Sequence, residues 1–517
     1  MNADAEAAAG FGGRAGAIIR AGTVTDCRPW PRFVLGAEAW AALASVGAEE
    51  DGGVALLALW AEPGTVHAAF GDGNAGILLA SCAAGAEGRY AALSPAWPAA
   101  PFERAVRDLW GLSAAGGADA RPFVDHGRWA VSAPLSAQPL PRSGAPPVQP
   151  EFRPPAGEGL HQIPLGPVRP VPLGAVHLRL HALGGTVAAM EAQGGYGHRG
   201  VVGLMLGRSP RAAARVAARI AAADSAVAHA LAFARAAEAA TGTAPPPRAV
   251  ALRALMGELE RIAGHLRWWG GVCAASGLRW PEARCAALRE GVLRAAGVAF
   301  GHRLMLDRVV PGGVAADLGR DGPVALHDAL AAVSAALPEL RAVGENHGGL
   351  RDRLVGRVVT APELVARLGA GGPVGRAAGR SADARCLPGS DSWAAALGLV
   401  VPTMGAGDAE SRQRVLLAEL RASLRLAQAL LDGMPAGEVL APWPQRGGEG
   451  VGVVEGPRGL CLHWLALDGD GQIRAAFAVD PAWGHWPLLA AAMADAPASE
   501  LPLSERSLMC SASGVDL

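Results

Sequence analysis

The chain has 517 residues, too many for one compact core, so two domains, or one with a large appendage, are expected. Hydrophobic residues make up 51% and charged residues 18%, which excludes extensive disorder. The net charge is −1, from 46 basic side chains, all arginine, and 47 acidic ones, a balance that argues against a nucleic-acid groove or a basic membrane patch.

The opening MNADAEAAAGFGGRAGAIIRAG lacks the apolar core of a signal peptide, and no run reaches about 18 uninterrupted apolar residues. The expectation is a protein that stays in the cytoplasm, soluble or held to a membrane through a partner. Up to about residue 133, short apolar runs alternate with turns. VALLALW (Val54 to Trp60), TVHAAF (Thr65 to Phe70) and GILLASC (Gly76 to Cys82) read as strands. GDGNAG, Gly71 to Gly76, formally matches G-x-G-x-x-G, but a β-like run follows it where a nucleotide fingerprint needs a helix, so a hairpin turn is expected. Prolines crowd residues 134–159, a composition that rules out helix and central strand and marks a linker.

Long helices follow. Ser209 and Pro210 form a helix start. Pro245 to Pro247 break the chain before a helix spanning about Ala249 to Trp269, which carries Glu258, Arg261 and His265 on one face. Those three are read as a charge relay or as a structural ion-pair network. A later helix, about Asp408 to Leu431, carries Asp408, Arg412 and Glu419, the first two spaced for a local ion pair. A hairpin turning at Asp468 to Gly471 follows, then the aromatic DPAWGHWP, read as core or partner interface.

Glu191 to Gly200 reads EAQGGYGHRG. Its glycines make either a tight turn in which His198 bonds a backbone carbonyl, or the floor of a site where His198 donates a proton. The cysteines, Cys27, Cys82, Cys273, Cys285, Cys386, Cys461 and Cys510, are scattered, and reduced thiols are expected.

In chain order come HQIPLGPVRP (from His161), EAQGGYGHRG, PPPRAVALRALMGELERIAGHL (from Pro245), HRLMLDRVVPGGV (from His302), GPVGRAAGRSADAR (from Gly372), GDAESRQRVLLAELRASLR (from Gly407) and GEGVGVVEGPRG (from Gly448). Together they resemble the large-subunit family that nickel–iron hydrogenases share with the quinone-site subunit of respiratory complex I, and most closely the large subunits of hydrogenase-4 and formate hydrogenlyase type complexes. PFERAVRDLWGL, from Pro101, resembles the complex I small-partner domain fused to such subunits.

The resemblance implies an α+β chain in three parts: a small N-terminal domain at 1–133, a proline-rich linker at 134–159, and a mainly helical hydrogenase-like domain at 160–517. It also implies a test by ligand count. The first pair of metal-holding cysteines falls on Ala222 and Ser225, and only Cys510 stands near the second pair, so neither a nickel–iron centre nor any directly bound metal is expected. The quinone-binding histidine of complex I matches His198, whereas its tyrosine falls on Ala223, and Val202, Gly203 and Arg169 also depart from the family pattern. Gly197, Arg199, Ser225 and His229 complete the candidate cavity. The expected role is that of a peripheral component held on antiporter-like membrane subunits at the inner face of the cytoplasmic membrane. It would take electrons from an iron–sulfur small subunit to a quinone or similar acceptor. A redox-inactive scaffold and a true hydrogenase are the alternatives.

Overall fold

The computed structural model describes residues 13–46, 54–71, 76–142, 151–155, 157–169, 174–387 and 393–517. The tip of the expected hairpin at 71–76 and residues 143–150 and 156 of the proline run lie outside the described residues.

Alternating apolar residues near the N-terminus form a five-stranded sheet in the order Thr23–Thr25, Arg32–Leu35, Ile77–Ala83, Thr65–Gly71, Ala55–Glu62. All three strands expected from the sequence are present. The last of them pairs antiparallel with its predecessor, as a hairpin requires, and parallel with Arg32–Leu35. A three-stranded antiparallel sheet, His161–Leu165, His177–Leu183 and Thr186–Gln193, leads into the glycine-rich loop.

The helical body comprises Ala226–Thr241, Pro247–Ala275, Arg279–Phe300, Gly322–Asn346 and Ala409–Asp432. The helix expected over Ala249 to Trp269 is longer at both ends, because Pro247 occupies its first turn and the Gly270-Gly271 pair, packed against Cys285 and Arg506, continues it to Ala275. Ser209 stands at a cap position before the Pro210–Ala217 helix, without a side-chain cap bond.

A third sheet joins the distant parts of the chain. Gly448–Gly456, Gly459–Leu467 and Ile473–Val479 form an antiparallel meander, and Cys27–Arg28 adds to its edge in parallel. The GEGVG sequence has a packing reason. A Cβ on Gly450 would come within 2.1 Å of Ala236 O, and one on Gly452 within 2.0 Å of Ala232 O. Alternate strand residues therefore lie directly on the alanine stripe of the Ala226–Thr241 helix, an approach only glycine allows.

The N-terminal region packs against the same sheet. Arg32 binds both oxygens of Glu449 (2.6 and 2.7 Å), and Trp60 stacks on Phe477 at 5.8 Å. In the Ala100–Trp110 helix, Asp108 Oδ2 accepts from the backbone N–H of Phe123, Val124 and Asp125, and Phe102 stacks on Trp483 at 4.2 Å. The apolar core runs without interruption through both regions, and Trp483, His485 and Trp486 are buried in it. Among the described residues no helix is long and apolar enough to cross a membrane.

Candidate functional site

The Thr186–Gln193 strand delivers the chain to the loop that ends at Gly200. Gly195 has a φ of +85°, and a Cβ there would sit 2.7 Å from Phe123 O, so the turn needs glycine. Its N–H donates to Asp516 Oδ1 at 2.6 Å, and a Cβ on Gly197 would come within 2.4 Å of Asp516 Oδ2. The loop is thus moulded onto Asp516, a partner that no local sequence pattern marks.

His198 Nδ1 lies 2.7 Å from Asp516 O. Facing a carbonyl, Nδ1 carries the hydrogen, which leaves the Nε2 lone pair as the reactive position. Burial lowers the pKa of the ring, against the pull of that carbonyl. The resting imidazole is neutral and offers a proton acceptor, where the sequence suggested a donor. Arg199 and Gly200 donate their N–H to Leu517 O (3.2 and 3.1 Å), and the Arg199 guanidinium bonds the carbonyls of Arg219 and Ile220. Those carbonyls sit just ahead of Ala222 and Ser225, so the glycine loop neighbours the positions on which the resemblance places the first cysteine pair.

Beyond them lies a second, fully enclosed group. Ser225 occupies the cap position of the Ala226–Thr241 helix, with its buried Oγ unpartnered. One turn on, His229 reaches Asp480 Oδ2 through Nε2 (3.1 Å) and His463 Nε2 through Nδ1 (3.1 Å). Asp480 Oδ2 also accepts from Arg458 Nη2 at 2.5 Å, and Oδ1 accepts from Ala482 N. Burial alone would raise the pKa of Asp480, but the Arg458 guanidinium and the bond from His229 outweigh it and hold the carboxyl far below its usual range. Burial, with Arg458 nearby, drives His485 down to about 4, so this ring is neutral too.

Arg458 is 0% exposed, yet among the described residues its Nε and Nη1 have no partner; nor has His485 Nε2. The donor atoms of His229, Cys461 and Asp480 lie within 4.8 Å of one another, a spacing that could hold a cation. Asp480 Oδ2 already accepts from a guanidinium and an imidazole, however, and the Arg458 charge opposes a further cation.

The segment from Cys510 to Leu517 is the wall shared by the two groups. Cys510 is buried beside His485, Ser511 Oγ donates to Asp224 Oδ2 (2.8 Å), and a Cβ on Gly514 would meet Asp480 Cγ at 2.2 Å. Of the candidate cavity residues, Gly197, His198 and Arg199 line one side of this segment and Ser225 and His229 the other. Arg458, Asp480, His463 and His485 were not singled out as site residues. The one sequence signal was the PRG end of GEGVGVVEGPRG, quoted as a motif but given no role.

Glu258, Arg261 and His265 belong to a separate buried ion network. Arg385 bonds Glu258 (2.9 Å) and Asp383 (2.7 Å), while Arg376 bonds Asp383 (2.9 Å), Glu419 (2.6 Å) and Glu455 (2.5 Å). His265 Nε2 meets Glu419 Oε2 at 2.8 Å, and Arg261 donates to the Glu455 and Gly456 carbonyls.

Asp408 and Arg412 attract each other as charges, but among the described residues they form no direct ion pair, the local contact expected from the spacing; each bonds other groups, near and far. Asp408 caps its helix through Ser411 N and accepts from Gly356 N, while Arg412 donates to Ser507 Oγ and the carbonyls of Gly407 and Val358. A buried guanidinium is better satisfied by several fixed acceptors than by one carboxylate already engaged in capping.

Comparison with known proteins agrees with this architecture. The family described as respiratory-chain NADH dehydrogenase, 49 Kd subunit, matches residues 281–446. Formate hydrogenlyase subunit 5 of Escherichia coli (strain K12) is 26% identical over 432 residues, covering 80% of this chain and 74% of that one. The membrane-bound hydrogenase subunit alpha of Pyrococcus furiosus is 30% identical over 266 residues, or 46% of this chain, which spans 60% of that relative. An NADH-quinone oxidoreductase subunit of Dehalococcoides mccartyi is 28% identical over 59% of this chain and 84% of its own. In fold, the chain is similar to a chain of the membrane-bound sulfane sulfur reductase, an archaeal respiratory membrane complex, with a TM-score of 0.65 and 23% identity over 70% of this chain and 100% of that one. Residues 281–446 thus match the NADH dehydrogenase 49 Kd subunit family, and the chain is similar to subunits of membrane-bound hydrogenase, formate hydrogenlyase and NADH-quinone oxidoreductase.

Proposed function

We propose that the chain is the hydrogenase-like large subunit of a membrane-associated oxidoreductase complex. It takes electrons from an iron–sulfur partner subunit and passes them to a quinone or similar small acceptor beside Arg458. Antiporter-like membrane subunits on the inner face of the cytoplasmic membrane couple the transfer to ion movement. One observation carries the reading: among the described residues, the fully buried Arg458 guanidinium keeps two donor nitrogens, Nε and Nη1, unpartnered, and His485 Nε2 in the same cluster is unpartnered too. An unpaired buried donor costs about 1–3 kcal/mol, and such groups persist where a ligand completes them. A guanidinium in a dry site suits the oxygen that becomes anionic as a quinone is reduced. Reduction to the quinol consumes a proton for every electron. His198, neutral with Nε2 bare, lies across the Cys510–Leu517 segment and would hold and pass on such a proton once charged.

The reading excludes nickel–iron. At the positions implied for the thiolates the chain carries Ala222, a buried Ser225 hydroxyl and one buried thiol, Cys510. Alanine cannot ligate, and a lone thiol cannot bridge two soft metals.

The test is a redox titration of the purified complex. Pre-reduced wild-type complex should reduce a soluble quinone, and Arg458→Met and His198→Ala should each lower the rate at least tenfold. Wild-type complex that keeps its electrons favours the second reading, a redox-inactive scaffold, to which the alanine at position 223, exposed where the family's tyrosine would stand, already lends weight. Stoichiometric nickel on elemental analysis would overturn both.

A further inference from the structure

The buried ion network does not balance as a set of full charges. Among the described residues, the carboxylates of Glu258, Asp383, Glu419 and Glu455 face only the guanidiniums of Arg261, Arg376 and Arg385 and the imidazole of His265. The groups come from the Pro247–Ala275 helix, the Gly372–Ala377 helix and the loop after it, the Ala409–Asp432 helix and the Gly448–Gly456 strand. All are buried, so water cannot screen an excess negative charge, and the network requires one proton more than its arginines supply.

His265 is a poor place for that proton. Its Nε2 is bonded to Glu419, and its Nδ1 is buried without a partner, so a cationic ring would bury a bare N–H. The neutral tautomer, with hydrogen on Nε2 only, avoids that cost.

The geometry at Arg376 points elsewhere. A single nitrogen, Nη2, faces Glu455 Oε1 at 2.5 Å, Asp383 Oδ2 at 2.9 Å and Ala382 O at 3.1 Å. That is three acceptors for a nitrogen that bears fewer hydrogens than that. Two carboxylates converging on one nitrogen compete for its hydrogens, and in a dry interior with fewer guanidiniums than carboxylates the less well bonded of the two is favoured in its neutral form. Asp383 is the member that stays charged, since Arg385 binds both of its oxygens (3.0 and 2.7 Å).

We infer that the Asp383–Glu455 pair is a proton-binding site, occupied at neutral pH by one proton seated on Glu455 and exchangeable with solvent while the chain stays folded. The electrostatics agree. Burial, and then the nearby Asp383 charge, raise Glu455 against the opposing pull of Arg376. Asp383, despite its own burial, is held far below its usual range by Arg385 and Arg376. The other groups facing the pair are the Cys386 thiol next to Asp383, and Arg261 and the Cys461 thiol next to Glu455, while Arg380 lines the same small cavity as both carboxyls without an ion pair to either among the described residues.

The inference goes beyond the redox reading and does not depend on it. Its location is nonetheless suggestive of use: Arg261 holds the carbonyls of Glu455 and Gly456, and Arg458 follows directly across Pro457.

The test is infrared spectroscopy of the full chain in light and heavy water. A protonated buried carboxyl gives a C=O stretching band that shifts on deuteration. Glu260 and Asp516 are raised to about 7 and about 6 by burial and contribute to the same region, so assignment rests on Glu455→Gln. The expected result is that this variant lacks one component of the neutral-pH band, and that in wild-type protein this component disappears as the pH is raised. Glutamine reproduces the shape and hydrogen bonding of the protonated acid, so the variant should unfold at the wild-type temperature at pH 7. A full wild-type band in the variant, or a variant that fails to fold, would overturn the assignment.

Discussion

The docking of the glycine loop on Asp516 should depend on pH, and Asp516→Asn isolates the effect. Burial raises this carboxyl from 3.8 to about 6, against the N–H bonds of Gly195 and Gly197. A folded pKa above the unfolded one means that the folded state binds the proton more tightly. The contribution to stability is therefore fully present below about pH 4 and is lost as pH rises through about 6. At about 1.4 kcal/mol per unit, the whole effect is about 3 kcal/mol. Between pH 8 and pH 5 about half of it is recovered, a change of about tenfold in the opening equilibrium.

Hydrogen exchange of the backbone amides from Gly195 to Gly200, corrected for intrinsic chemistry, reads that opening. His198, whose pKa burial lowers, acts with the opposite sign: its contribution is present above its unfolded value and is lost as pH falls through the folded one. The quantity to compare is thus the difference between wild type and Asp516→Asn, in which the His198 effect cancels. The wild type should gain about tenfold more protection than the variant on going from pH 8 to pH 5. Equal pH dependence in the two proteins would show that the carboxyl does not change its proton affinity on docking, and the account of the loop would fail.

Two further outcomes are expected. Arg376→Met strips Asp383, Glu419 and Glu455 of their common guanidinium; a buried pair broken on one side costs about 3–5 kcal/mol, so thermal unfolding followed by circular dichroism should show a much lower midpoint, with a smaller loss if the protein is made more acidic. Gly450→Ala puts a methyl group 2.1 Å from Ala236 O, which forces the strand and the Ala226–Thr241 helix apart; a loss of about 3 kcal/mol or more is expected by chemical denaturation, and a wild-type midpoint would refute the packing reason for GEGVG.

Much of the fold was legible because local rules were obeyed. Period-two apolar runs became the strands around Trp60 and His67, and the proline break at Pro245 to Pro247 set the start of the longest helix. The glycine loop was legible as a turn with a histidine bonded to a carbonyl, but not as a moulding onto Asp516, because the partner lies 318 residues away. The spacing of Asp408 and Arg412 misled in part for the same reason: besides its local cap, Asp408 accepts from Gly356 N, and Arg412 donates to Ser507 Oγ. Arg458 and Asp480 could not be paired from the sequence, since Arg458 sits in the short turn after Gly448–Gly456 and Asp480 just past Ile473–Val479, and only the folding of the sheet brings them together.

By itself, the sequence determined the chemistry available: arginine as the basic side chain throughout, scattered thiols of which Cys510 stands near the C-terminal end, Ala222 and Ser225 without a thiol between them, and His198 held among glycines. Those are facts about composition at given positions, and no fold can change them. Only the tertiary structure decided which groups are dry, which share a partner, and which nitrogen of His198 keeps its lone pair. Proton affinity and the cost of an unpaired donor depend on burial and on neighbours brought from distant parts of the chain, and neither is written in local sequence.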